Sequence, residues 1–224
     1  MDGQGHGVKI ENPAMMPAVF VPLFTWRDGF DYKMWAAKFR HTTGFIALTK
    51  ERDAGRVYAD PVDGRCRIDY TVSSYDRKHM LESIIATAKI AYISGAKEIH
   101  TSWRELPPFI RPETDSLDAP EGVNNAAFQA WIADARSRTP LDPERTLFAS
   151  AHQMGTCRMA KTARLGVVDT DCQVYGSQGL YVMDASVFPS ASGVNPMVTN
   201  MAIADSASRR LAASMSRTGV MARL

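Results

Sequence analysis

Cysteine is scarce in this chain: three residues in 224, Cys66, Cys157 and Cys172. An odd number without paired spacing offers no disulfide framework and suits a reducing interior. Cys157 and Cys172 also lack the C-x-x-C spacing that would join His152 in a metal site, so no metal is expected. Charge of one sign is scarce too. A formal net charge of +2 supplies no electrostatic footprint for nucleic acid. No apolar run approaches the ~18 or more residues of a membrane span, and the first residues lack the pattern of a secretory signal. One more absence carries weight. A dinucleotide-binding βαβ unit needs G-x-G-x-x-G after a strand. The only candidate, Gly3-Gln-Gly5-His-Gly7, has no preceding strand and no third glycine in place.

What is present is ordinary for a globular chain, 45% hydrophobic and 22% charged. A strand is expected at Val8 to Glu11. A Pro-punctuated apolar run, Met15 to Trp26, follows, in which Pro17 and Pro22 oppose a long helix. Asp31 to Phe39 has helical spacing, with Tyr32, Trp35 and Phe39 on one face. Strand-like runs at Gly44 to Thr49, Arg56 to Ala59 and Cys66 to Tyr70 are separated by Asp- and Gly-containing turns. His41, between helix and strand, reads as structural.

The clearest helix is Ser74 to Ser94. Ser73 with Asp76 is its start signal and Gly95 its stop. Leu81, Ile84, Ile85, Ala88, Ala91 and Tyr92 form the apolar face, and Asp76 falls on the solvated one. Glu98 to Ser102 reads as a strand. Arg104 to Asn124, rich in proline and acid, reads as a long loop. Either it is a lid over a substrate entrance with Phe109 and Ile110 as its apolar tip, or it is a surface insertion. Asn125 to Arg138 is a short helix with Phe128, Trp131, Ile132 and Ala135 turned inward, ended by Pro140 and Pro143.

The chain is organised around Ala149 to Ala204. Leu180 to Met183 is a short apolar strand ending in Asp184, a loop of small residues follows, and Asn195-Pro196 opens an apolar helical pattern. Asn is a good N-cap and Pro is favoured at the first helical position. Strand, tight loop and helix start bring a ligand to the positive end of a helix. His152 stands just ahead of a Gly-Thr-Cys turn. Met154, Met159, Met183, Met197 and Met201 are read either as channel lining or as core filler.

The tracts HQMGTCRM, GVVD, GLYVMDASVFP and SGVNPMVT together resemble the C-terminal signature of the glucose-methanol-choline (GMC) flavoprotein oxidoreductases, most closely the long-chain fatty alcohol oxidase branch. The resemblance extends weakly through ENPAMMP, KFRHTTGFIAL and YDRKHMLESIIATAKIAYISGAKEI. It implies a catalytic pair. His152, in the H-x-x-G-T block, would assist deprotonation of the substrate hydroxyl, and Asn195, in the N-P-x-x-T block, would orient the alkoxide. It implies FAD as cofactor. Asp184 and Ala185 would lie by the ribityl–pyrophosphate region, and backbone groups of Asn195, Pro196 and Met197 by the flavin N1–C2=O edge. Gly176-Ser-Gln-Gly179 departs from relatives that often carry an acidic residue there.

The expected fold class is therefore α+β: an antiparallel or mixed substrate-domain sheet with helices, plus the strand–loop–helix end of an FAD-binding α/β domain whose Rossmann half is missing. The expected division is 1–144 for substrate and 145–224 for the active-site segment. The implied reaction is oxidation of a primary, long-chain alcohol to the aldehyde with O2 reduced to H2O2, as part of a larger enzyme. Alternatives are a dehydrogenase with another acceptor, a lyase that keeps its FAD, and a fragment unable to hold FAD alone. Ala222-Arg223-Leu224 resembles an SKL-type peroxisomal address, implying an import receptor as partner, with the cytoplasm as the other location. Oligomeric state is not legible.

Overall fold

A computed structural model of the chain describes residues 3, 5–116, 121–138, 146 and 148–217. Pro140, Pro143 and the tail tripeptide lie outside the described residues. The chain is α+β and divides into two compact units: Met1–Asp53 with Thr71–Ala149, and Ala54–Tyr70 with Ser150–Leu224.

The first unit begins with β1 (Gly7–Glu11), whose partner is β2 (Ile46–Lys50), antiparallel with Gly7 opposite Lys50 and Glu11 opposite Ile46. The Gly-rich opening thus feeds a strand, the reverse of a phosphate loop, which follows a strand and opens a helix. Between the strands the prolines act as expected. α1 (Pro17–Phe20) is a single turn, a 3-10 turn follows at Val21–Leu23, and α2 spans Gly29–Lys38. Asp28 caps α2, accepting from the Asp31 N–H at 2.9 Å.

α3 (Ser74–Ile93) lies against β1, β2 and β5 (Glu98–Ile99). Its caps are the expected ones. Ser73 Oγ accepts from the Asp76 N–H at 3.1 Å, and Gly95 adopts φ +88°, a left-handed turn that glycine takes without strain. Asp76 corrects the expected solvated face: it is 1% exposed. Its carboxylate is buried because it has donors, the Ser73 hydroxyl at 2.7 Å and the Arg52 N–H at 3.3 Å.

The core of this unit is aromatic. Leu81, Ile85, Ala88 and Tyr92 of α3 meet Phe128, Trp131, Ile132 and Ala135 of α4 (Ala126–Ser137), all buried. Phe128 stacks on Tyr92 with ring centroids 4.2 Å apart. Asn125 caps α4 through the Ala127 and Phe128 N–H groups.

The lid reading of Arg104 to Asn124 fails at Phe109, although Ile110 beside it is 56% exposed. Phe109 is 4% exposed, inside this core, and β6 (Phe109–Ile110) pairs antiparallel with β5. Arg111 and Asp115 tie the stretch down further. Arg111 Nη1 is 3.2 Å from Asp115 Oδ2, and the Tyr92 hydroxyl donates to the same oxygen at 2.6 Å. Burial, followed by that hydrogen bond, pushes the Tyr92 phenol above its ordinary value.

The second unit holds the hairpin β3 (Arg56–Ala59) and β4 (Cys66–Asp69), antiparallel and exposed along its length. The described strands thus form three separate two-stranded sheets, each antiparallel as expected. The unit ends in α5 (Met197–Arg217). No described helix is long and apolar enough to cross a membrane.

Candidate active site

Every residue singled out as catalytic or cofactor-binding lies in the second unit. The expected strand Leu180 to Met183 is not formed. Among the described residues that run contributes one isolated bridge, Tyr181 opposite Gln173. The reason is the left-handed backbone around it. Gly176 and Gly179 adopt φ +76° and +75°, and Cys172 φ +66°, so the chain turns too often for a ladder to run.

A different backbone contact brings the motif blocks together. The N–H groups of Gly155, Cys157 and Met159 donate to the carbonyls of Ala185, Ser186 and Val187 at 3.3, 2.9 and 2.8 Å. The block that opens with His152 is thereby bound to the block that opens with Asp184. Val168, Val187 and Phe188 are buried beneath this ladder, with Met154 and Met159 packed against them. These two methionines are filler at the margin of a core. Gly155 is required where it stands. Its φ is +85°, and a Cβ there would lie 3.3 Å from the Phe188 carbonyl. Gly166 is tighter still, because a Cβ would run into the Arg158 carbonyl. Neither requirement has a local signal beyond the glycine itself.

Asp184 caps a 3-10 turn, Ala185–Val187, by accepting from the Ser186 N–H at 2.8 Å. The Ser186 hydroxyl, and then that N–H, hold its carboxyl below the usual carboxylate value. The carboxylate is exposed, and its part in this structure is to hold the turn.

α5 starts one residue later than expected: the Pro196 carbonyl accepts from the Asn200 N–H at 2.8 Å, so the capping place falls on Pro196. The first N–H groups of α5 have no partner within the helix, and its dipole adds partial positive charge there. Asn195 is exposed beside this end, and Met197, Val198 and Met201 are 68%, 70% and 56% exposed. Met197 and Met201 are therefore not core filler, and the packed face of α5 runs through Ile203 and the buried Ala207.

His152 is half-buried, and its ring makes no hydrogen bond or ion pair among the described residues. No hydrogen bond joins it to Asn195. Its nitrogens are therefore uncommitted, and nothing described in this chain selects the tautomer. Burial pushes the Cys172 thiol up from its ordinary value. The described residues contain no cluster of potential metal ligands.

Residues 41–204 match the family model for GMC oxidoreductase. The chain belongs to the GMC oxidoreductase family. Long-chain-alcohol oxidase FAO3 of Arabidopsis thaliana is 31% identical over 92% of this chain and 26% of its own length. Long-chain-alcohol oxidase FAO1 of the same plant is 29% identical over 97% of this chain and 27% of its own length. Dehydrogenase str4 of Strobilurus tenacellus is 33% identical over 43% of this chain and 17% of its own length. The chain thus spans about a quarter of the length of the two alcohol oxidases.

The residues present suit one edge of a flavin. The exposed helix end favours an acceptor carrying negative charge. Asn200, in the first turn of α5, has a buried Oδ1 with no hydrogen-bond partner, which asks for a donor. A flavin ring and its ribityl chain carry both kinds of group. The one Gly-rich candidate for a pyrophosphate loop precedes β1.

Proposed function

We propose that this chain forms the catalytic-pair portion of an FAD-dependent alcohol oxidase, oxidising a primary long-chain alcohol to the aldehyde with O2 as acceptor. The observation that carries the reading is the ladder from Gly155–Met159 to Ala185–Val187, which holds the His152 block beside the DAS block within one unit. In this reading an imidazole nitrogen of His152 accepts the hydroxyl proton, and the Asn195 side-chain amide donates to the oxygen left behind. Asp184, Ala185 and the backbone of Asn195, Pro196 and Met197 at the start of α5 would hold the cofactor. The chemistry that FAD would supply there is acceptance of the carbinol hydride and two-electron reduction of O2 to H2O2. The family relatives named long-chain-alcohol oxidases support the substrate class.

The test is to supply dodecan-1-ol to the FAD-loaded protein that carries these residues and to measure aldehyde and peroxide together. The reading predicts both in equal amounts. Aldehyde without peroxide or oxygen uptake would favour a dehydrogenase, a reading that the relative named as one keeps open. No aldehyde from any primary alcohol would contradict the proposal. The 224 residues alone are expected to show no bound-flavin absorbance, because their sequence holds no G-x-G-x-x-G tract. The reading also places the enzyme in peroxisomes through an import receptor that takes Ala222-Arg223-Leu224. A reporter ending in these residues that stays in the cytosol would count against that location.

A further inference from the structure

The first unit contains a cavity that none of the proposed catalytic or cofactor-binding residues lines. It is a groove of about 590 Å³, open to solvent on one side, formed by the segment from Thr25 to Trp35 together with residues 100 to 108. That volume is in the range of small-molecule sites. Its walls include Trp26, Trp35 and Trp103. Their rings are held from behind. The Trp26 ring meets Tyr32 edge-on at 5.7 Å, Trp35 packs on Phe24 at 4.5 Å, and Trp103 is buried. Flat apolar walls of this kind take a planar ligand body at low entropic cost.

The charged groups around it balance, with one exception. Arg27 is paired with Asp31, Nε to Oδ2 at 3.4 Å. His100 is 3.0 Å from Glu98 Oε2, and Lys38 lies 2.8 Å from Oε1 of the same carboxylate. Those two partners, Lys38 foremost, hold the Glu98 carboxyl below its usual value. Arg104 has no ion pair or hydrogen bond among the described residues. The cavity therefore offers one uncompensated guanidinium beside indole walls. A guanidinium fork fits a planar carboxylate in two parallel hydrogen bonds.

We infer that this cavity is a binding site for a small monocarboxylate with a flat, apolar, aromatic-sized body, its anion on Arg104 and its body against Trp26 and Trp35. The inference is independent of the alcohol-oxidase reading, because it concerns the other unit and its test reads binding alone.

The test titrates 2-naphthoate, and separately the uncharged 2-naphthamide, into the 224-residue chain by calorimetry. Arg104→Gln and Trp26→Ala variants are run beside it, with circular dichroism and thermal midpoints as folding controls. Both side chains are exposed enough for the variants to fold. Naphthoate should bind, and Arg104→Gln should weaken it about tenfold, the size of one charge-assisted hydrogen bond. Naphthamide affinity should differ less than about twofold between the two proteins, since it lacks the charge. Trp26→Ala should weaken both ligands about threefold or more. No measurable naphthoate binding, equal binding to Arg104→Gln, or indifference to Trp26→Ala would overturn the inference.

Discussion

The two units are built on different principles. The first is held by α3 and α4, whose starts are capped, and its buried cluster joins both helices to Ile99, Trp103, Leu106 and Phe109. The second has a small buried cluster under a run of turns, and its longest helix shows Met197, Val198 and Met201 to solvent. Its order comes from backbone hydrogen bonds between motif blocks and from glycines at conformations other residues resist. The first unit has the larger buried cluster, although Phe30 and Ile93 are 74% and 70% exposed. In the second, exposed apolar residues gather on the first turns of α5, beside the helix end where chemistry is proposed.

This contrast can be broken by substitution. Phe128→Ala removes a fully buried ring stacked on Tyr92 and is expected to cost about 3–5 kcal/mol, read by denaturant unfolding of the first unit. Gly155→Ala has no cavity term, only a left-handed backbone and the Phe188 carbonyl. The expected loss is about 1–2 kcal/mol, with faster amide exchange at Cys157 and Met159 as the local sign that the ladder has opened. Met197→Ser should change stability by less than about 0.5 kcal/mol, because its side chain is already in water. Were it as costly as Phe128→Ala, the exposed face of α5 would be packed against something in solution.

How much of this was legible follows the same contrast. Ser73, Gly95 and Asn125 announce the ends of α3 and α4 because capping is local: the residue that signals the end is the residue that makes the bond. Asp76 was misplaced on a solvated face because its burial depends on the Arg52 N–H, which is remote in sequence. Phe109 was misplaced for a similar reason. β5 and β6 are two residues each, too short for a period to show, and the ring is buried by α4. In the second unit the motif blocks were visible but not their connection. The ladder joins residues 155–159 to 185–187, and the left-handed turns at Cys172, Gly176 and Gly179 that preclude the expected strand are a backbone property.

A pH titration sharpens the comparison. The Tyr92 phenol lies above its ordinary value in the folded chain. The stability linked to it is therefore complete below the unfolded value near ~10. It is lost as pH rises from there through the folded value, because the unfolded phenol ionises first. Asp184 runs the other way. Its contribution is present above the unfolded carboxylate value and fades as pH falls through the folded one, and solvent keeps it small. Alkaline unfolding is expected to begin in the first unit, followed by the fluorescence of the tryptophans it contains.

The central claim rests on His152 as the group that receives the substrate proton. The measurement is kcat against pH for the FAD-loaded protein and its His152→Gln variant, with dodecan-1-ol as substrate and thermal midpoints recorded for both. The account predicts a fall in kcat of about 10²–10⁴-fold with the fold intact, and loss of the acidic limb of the profile. An unchanged rate, or a uniform loss that leaves the profile its shape, would contradict it.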